Sequence, residues 1–439
     1  MEESGLRRHP HTLGRTPPPP APPRPPHPHP HPQEAQRRVL RVLVASQVLS
    51  GAGLAAGITV GALLAEDMLG STGLAGLPSA LFTTGSALTA VAVGRISQAR
   101  GRRPGLAVGY LTGAVGAAGV IAAAVAGIPA LLFAALFVYG AGSATNLQAR
   151  YAGADLAAPA HRARAVSTVL VATTFGGVVG PNLASPAGGL AAALGVPRLA
   201  GPFLLAGAAY ALAALVLLRW LRPDPLLLAR AAGAAQATRT VAAPEAADEP
   251  RRHAPGVLSG AAVMVLAQLV MVAIMTMTPV QMRDHGHGTT ASGLVIALHV
   301  GAMYLPSPLT GRLVDRHGPV RLAAACGITL LTAGIVAATA PGGSVPLLAL
   351  ALVLLGLGWN LGLVSGTAII TDTVPLATRA RTQGLVDVSI AVAGATGGLA
   401  SGLVVSGAGY PALALACGVL ALAILPASAV RAAAGRNPR

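Results

Sequence analysis

The sequence is short of charge. Of its 439 residues only 10% are Asp, Glu, Lys or Arg, against about a quarter in soluble proteins, which excludes an ordinary water-soluble fold. Lysine is missing altogether, so all 30 basic residues are Arg. Aromatics make up 3%, and the 53% hydrophobic content is mostly Ala, Leu and Val, joined by 55 Gly. Small residues of this kind let helix backbones approach closely in a bilayer. The two cysteines, Cys326 and Cys417, lie inside apolar runs, which excludes a disulfide scaffold and a Cys-rich metal centre. No nucleophile–base arrangement, phosphate-binding loop or appended soluble domain is present, so an enzyme is not expected. The net charge of +16 does not indicate nucleic acid, because the arginines sit in loops between long apolar runs.

Those runs are long enough to cross a bilayer, which takes about 20 residues each, and there are twelve. They are Val42–Ala65, Leu74–Val93, Leu106–Ala126, Pro129–Leu147, Ala165–Leu194 and Pro202–Leu221, then Val257–Val280, Ser292–Leu309, Val320–Ala340, Val345–Ile370, Leu385–Val405 and Pro411–Val430. Placing the N-terminus in the cytoplasm puts Arg95, Arg100, Arg102, Arg103, Arg150, Arg162 and Arg164 inside. Arg312, Arg316, Arg321, Arg379 and Arg381 fall inside as well, and only Arg198 and Arg283 are left outside. Positive residues are retained on the cytoplasmic side, so the pattern predicts an all-α protein of twelve spans with both ends cytoplasmic. The predicted organisation is a disordered Pro/His-rich tail (1–36), a six-helix bundle (42–221), a linker (222–255), a second bundle (256–430) and a short tail (431–439). The lipid bilayer is the expected partner, with the chain working as a monomer.

The halves repeat. An offset of 217 residues carries Gly94 onto Gly311, Arg95 onto Arg312, Gly101 onto Gly318, Asp155 onto Asp372, Arg162 onto Arg379 and Gly180 onto Gly397. An even number of helices per copy makes the repeats parallel, related by an axis along the membrane normal.

The segments beginning Gly94-Arg-Ile-Ser-Gln98 and Gly311-Arg-Leu-Val-Asp315, each reaching a second glycine at Gly101 and Gly318, resemble the doubled loop signature of the major facilitator superfamily. The resemblance covers about residues 40–430. It implies two bundles rocking about a central substrate cavity, latched at their cytoplasmic ends by Gly94, Gln98, Gly101 and Arg102 and by Gly311, Asp315, Arg316 and Gly318. Gln98 stands where the first copy of the signature has an acid; an amide lacks the strength of a charge-assisted hydrogen bond.

The methionines point to a cargo. Six of eight (Met264, Met271, Met275, Met277, Met282 and Met303) fall in residues 264–303. Met271 and Met275 share a face of the seventh span, as do His299 and Met303 on the eighth, by their i,i+4 spacing. The antiparallel order brings both pairs to similar depth, at about 1.5 Å of rise per residue. Thioethers and imidazole suit Cu(I) better than hard cations. The M-x-x-x-M and H-x-x-x-M pairs resemble those of facilitator-type copper importers that supply bacterial cytochrome oxidase assembly. That resemblance implies a plasma-membrane importer with copper as cargo, held by Met271, Met275, His299 and Met303, and no resident cofactor. The alternative is a proton-coupled carrier of an organic solute, a flavin-like nutrient or a drug. Asp387 and Asp67 are the acids available for proton coupling, both near a membrane interface by position. Gln47, Asn146, Asn182, Gln268 and Asn360 are candidate polar groups of a cavity.

Overall fold

Proline and glycine set most of the helix ends in this chain. The computed structural model describes residues 32–69, 77–239, 249–341 and 344–427. The first half holds α1 (Pro32–Leu69), α2 (Leu77–Arg100), α3 (Arg102–Ala126), α4 (Pro129–Ala154), α5 (Arg162–Ala193) and α6 (Gly201–Trp220). A connecting helix, α7 (Pro225–Arg239), precedes the second half: α8 (Glu249–Asp284), α9 (Thr289–Tyr304), α10 (Ser307–His317), α11 (Pro319–Thr339), α12 (Val345–Thr373) and α13 (Arg379–Ala421).

These helices account for twelve crossings. Among the described residues nine stretches are apolar and long enough to span a membrane. One of them, Arg379–Ala427, reverses at Gly409, where φ is +84°. That backbone conformation disfavours a side chain, and Pro411 then opens the next helix, where its missing N–H costs nothing. The remaining two crossings are α1 and α5, of 38 and 32 residues. The eighth crossing is split between α9 and α10 at Leu305–Pro306.

Two predicted boundaries move. The tail assigned to residues 1–36 gives way to helix at Pro32, where Glu34 in the first turn complements the helix dipole and Gln36 Nε2 donates to the Gly153 carbonyl at 2.7 Å. The His-Pro run up to His31 and the tail at 431–439 lie outside the described residues. The linker at 222–255 contains α7 and the first turns of α8. Asp224 starts α7 by accepting from the N–H groups of Leu226 and Leu227 at 3.1 and 3.2 Å, the work of an N-cap.

Each half has its own core. In the first, the scarce aromatics gather: Tyr139 lies 5.2 Å from Phe203 and 5.6 Å from Tyr210 by ring centroids. The core of the second half is aliphatic and Met-rich, and it takes in Ala163, Val166 and Leu170 of α5. Inside that half α12 stands between α8 and α9. It meets α8 where Gly366 packs on Met264 and Gly362 on Ala267, and it meets α9 where Gly356 packs on the His299 carbonyl.

Candidate functional site

The two halves join at the end of the bundle that carries the arginine-rich loops, and they do so symmetrically. Asp315 of α10 accepts from the N–H groups of Ala163 and Arg164 at 3.0 and 3.2 Å, the free start of α5. Gln98 of α2 makes the equivalent bonds to the start of α13, accepting from Ala380 and Arg381 at 2.8 and 3.4 Å. Gln98 Nε2 also donates to the Leu376 carbonyl at 3.3 Å and to that of Ala377. A carboxylate at a helix start gains from the helix dipole, whereas the amide satisfies the same N–H groups without charge.

The signature glycines have matching roles. A Cβ at Gly94 would lie 2.9 Å from the Ala380 carbonyl, and one at Gly311 would lie 2.8 Å from that of Ala163. Gly101 and Gly318 both break their helices with positive φ, +98° and +85°. Arg102 is fully buried and donates to Asp155 at 2.8 Å and to Gln383 of the other half; Arg162 pairs with Asp372 at 2.6 Å. Arg316 is exposed.

A second tie lies deeper. Arg150 of α4 donates through Nη2 to Asp387 of α13 at 2.8 Å, and through Nε to Thr367 of α12 at 3.0 Å. Tyr151 donates to the same Asp387 oxygen at 3.2 Å. Both charges are buried, and Asp387 Oδ2 has no partner among the described residues. Asp387 is therefore a carboxylate sequestered in protein, while Asp67 is exposed at the end of α1. Sequence reasoning counted Arg150 among the loop arginines. That arginine lies beyond the predicted fourth span, Pro129–Leu147, but α4 continues to Ala154 and carries it into the protein.

The proposed metal ligands divide. Met271 and Met303 are buried and belong to one core, against which half-buried Met275 packs. His299 is buried too, but its Nδ1 bonds the Leu352 carbonyl of α12 at 2.7 Å, and its Nε2 has no hydrogen-bond partner among the described residues. Among the described residues no three His, Cys, Asp or Glu side chains gather into a metal-holding group, so a soft-metal site here would depend on the thioethers.

Next to these residues the eighth crossing breaks at mid-length. Asn360 of α12 spans the break, donating to the Met303 carbonyl and to Ser307, both at 2.7 Å, with its own Oδ1 unpartnered among the described residues. Irregular backbone at membrane depth is tolerated where protein satisfies it or where it lines a cavity. At the break Tyr304 stands edge-on to Trp359, with centroids 5.6 Å apart. Trp359 donates to Gln268 Oε1 of α8 at 2.7 Å. By contrast Gln47 and Asn146 are spent within the first half: Gln47 Nε2 donates to the Asn146 carbonyl and to Thr173, both at 3.0 Å. The Asn182 side chain lies outside the described residues.

Two parallel six-helix bundles, latched at one end, with buried charges bridging them and a broken helix at mid-depth, define a secondary transporter that works by alternating access, and no enzyme. The sequence profile of the Major Facilitator Superfamily matches residues 42–303 and 260–438. The chain belongs to that superfamily. It is 57% identical over 390 residues to an uncharacterised MFS-type transporter, YdeG, of Bacillus subtilis, covering 89% of this chain and 91% of the relative. It is 32% identical over 363 residues to the riboflavin transporter RfnT of Brucella anthropi, covering 80% and 85%. Its fold matches the human organic anion transporter MFSD10, with a TM-score of 0.71 at 18% identity over 90% of this chain and 99% of the other.

Proposed function

We propose that the protein is a proton-coupled carrier of an organic solute, a planar nutrient of the flavin class, taken up across a bacterial plasma membrane. The observation that carries the solute class is the 32% identity to a riboflavin transporter over 80% of this chain. The coupling reading rests on the Arg150–Asp387 pair. With both termini cytoplasmic by the arginine bias, the bridged end is the inner gate and the structure corresponds to a state closed toward the cytoplasm. A proton arriving from outside neutralises Asp387, releases Arg150 and lets the inner end part; loss of the proton inside restores the pair. In this scheme Asp67 is an exposed acid with no part in coupling, and the protein acts as a monomer.

The test is uptake of labelled riboflavin by proteoliposomes under an inward proton gradient. Accumulation that a protonophore abolishes is expected; absence of riboflavin uptake would refute the solute. A second reading, Cu(I) import through Met271, Met275, His299 and Met303, is favoured by the buried His299 Nε2, which has no hydrogen-bond partner among the described residues and lies one helical turn from Met303. Copper accumulation in the same vesicles, lost in the Met271→Leu, Met275→Leu double variant, would establish it over the first.

A further inference from the structure

Tyr304, Trp359 and Gln268, linked in series beside the break in the eighth crossing, come from three different crossings, at similar positions along their lengths. Gln268 falls near the middle of α8, Trp359 at the middle of α12, and Tyr304 where α9 gives way to α10. Trp359 is buried, so it does not face a solute, whereas Gln268 and Tyr304 are only half-buried. The indole N–H is a donor and nothing else, so its 2.7 Å bond fixes which way round the Gln268 amide lies: oxygen toward Trp359, nitrogen away. That nitrogen makes no hydrogen bond within the described residues. Gly394 of α13 leaves it room, since a Cβ there would come within 3.1 Å of Nε2. A half-buried tyrosine and an oriented amide donor without a partner among the described residues thus stand together beside irregular backbone at mid-membrane, where transporter substrates bind.

We infer that Gln268 and Tyr304 form a recognition site for a planar heteroaromatic ring bearing a carbonyl acceptor, with Trp359 as the positioning residue that turns the Gln268 amide outward. The inference rests on the organic-solute reading and narrows it. Tyr304 supplies an aromatic surface for the ring, and offset or edge-on contact is the favoured geometry. Gln268 supplies the polar contact that separates a carbonyl-bearing ring from a bare one, because a site built to hydrogen-bond a substrate group discriminates against analogues lacking it.

The experiment uses the full chain in lipid nanodiscs and equilibrium dialysis with three probes: riboflavin, lumichrome (the carbonyl-bearing ring without the sugar chain) and phenazine (a planar tricycle without carbonyls). Gln268→Leu should weaken lumichrome and riboflavin roughly tenfold or more and change phenazine by less than about twofold. Trp359→Phe, which loses the N–H, should give the same selective loss, and Trp359→His, which keeps a ring N–H, should recover part of it. A merely structural role for Trp359 would weaken all three probes alike. Gly394→Ala should reduce binding of the carbonyl-bearing probes by crowding the amide. Lumichrome binding that depends on Gln268, in a protein that does not transport riboflavin, would refute the flavin reading and uphold this site. Lumichrome binding indifferent to Gln268, or no lumichrome binding at all, would overturn the site.

Discussion

Neutralising Asp387 tests the deep lock most directly. Asp387→Asn keeps an oxygen that can accept from Arg150 and Tyr151 but removes the charge, leaving the Arg150 guanidinium buried with Thr367, Tyr151 and the Leu147 carbonyl as neutral partners. Removing one member of a buried ion pair costs about 3–5 kcal/mol, and the retained acceptors put this case at the low end. The closed state should lose about 3 kcal/mol relative to a state in which the inner end is open and Arg150 is hydrated. At 1.4 kcal/mol per tenfold, the open population rises by about a hundredfold. Ser167 is a suitable reporter, fully buried where α5 meets Gly311, and the native Cys326 and Cys417 are buried. In a Ser167→Cys background, labelling by a maleimide applied from the arginine-rich side should accelerate by up to about a hundredfold in Asp387→Asn. The Asp387→Asn, Arg150→Gln double variant, with no unpaired charge, should return most of the way to the parent rate. Labelling unchanged by Asp387→Asn would refute the lock, and gradient-driven accumulation retained in that variant would refute the proton-coupling role.

Three further outcomes follow from the same end of the molecule. Gln98→Asp should strengthen the hold on the start of α13, since charge-assisted bonds are about twice as strong as neutral ones; Asp315→Asn should weaken the opposite hold on α5. Opposite shifts in Ser167→Cys labelling would check the pair. Arg230 of α7 donates to the Gln98 carbonyl at 2.9 Å and to that of Leu376 at 3.3 Å, so it ties the connecting helix to both halves. Arg230→Gln should raise the same labelling rate while leaving thermal stability of the purified protein nearly unchanged. Gly94→Val would drive a side chain into the Ala380 carbonyl and the Gly384 Cα, at 2.9 and 3.1 Å even for a Cβ. The closed state should lose about 1–3 kcal/mol, and cross-linking between cysteines placed on α2 and α13 should fall.

The sequence by itself determined the number of crossings, the repeat and the places of the doubled glycine signature. Long apolar runs, arginines in alternate loops and glycines recurring at a fixed offset are one-dimensional patterns, because each helix in a bilayer must satisfy its own backbone. The pairing of Gln98 and Asp315 with opposite helix starts follows the same offset, so symmetry read from the sequence reappears as symmetric contacts. Short connections were less legible. The helix at Pro225–Arg239 looked like linker because it is held by distant partners: Asp224 accepts from the Arg103 N–H, and Arg230 donates to the carbonyls of Gln98 and Leu376.

Only the tertiary structure decided which buried polar groups matter. Asp387 and Arg150 are 237 residues apart, and no local pattern distinguishes a carboxylate near a helix start that is solvated from one that meets an arginine of the other half. His299 shows the same limit: its spacing from Met303 was plain, but the α12 carbonyl that holds its Nδ1 was not. Gln268, Trp359 and Tyr304 come from three helices and share no motif. Their arrangement depends on how those helices pack, and helix packing is set by side-chain fit in three dimensions, which sequence spacing along any one helix does not encode.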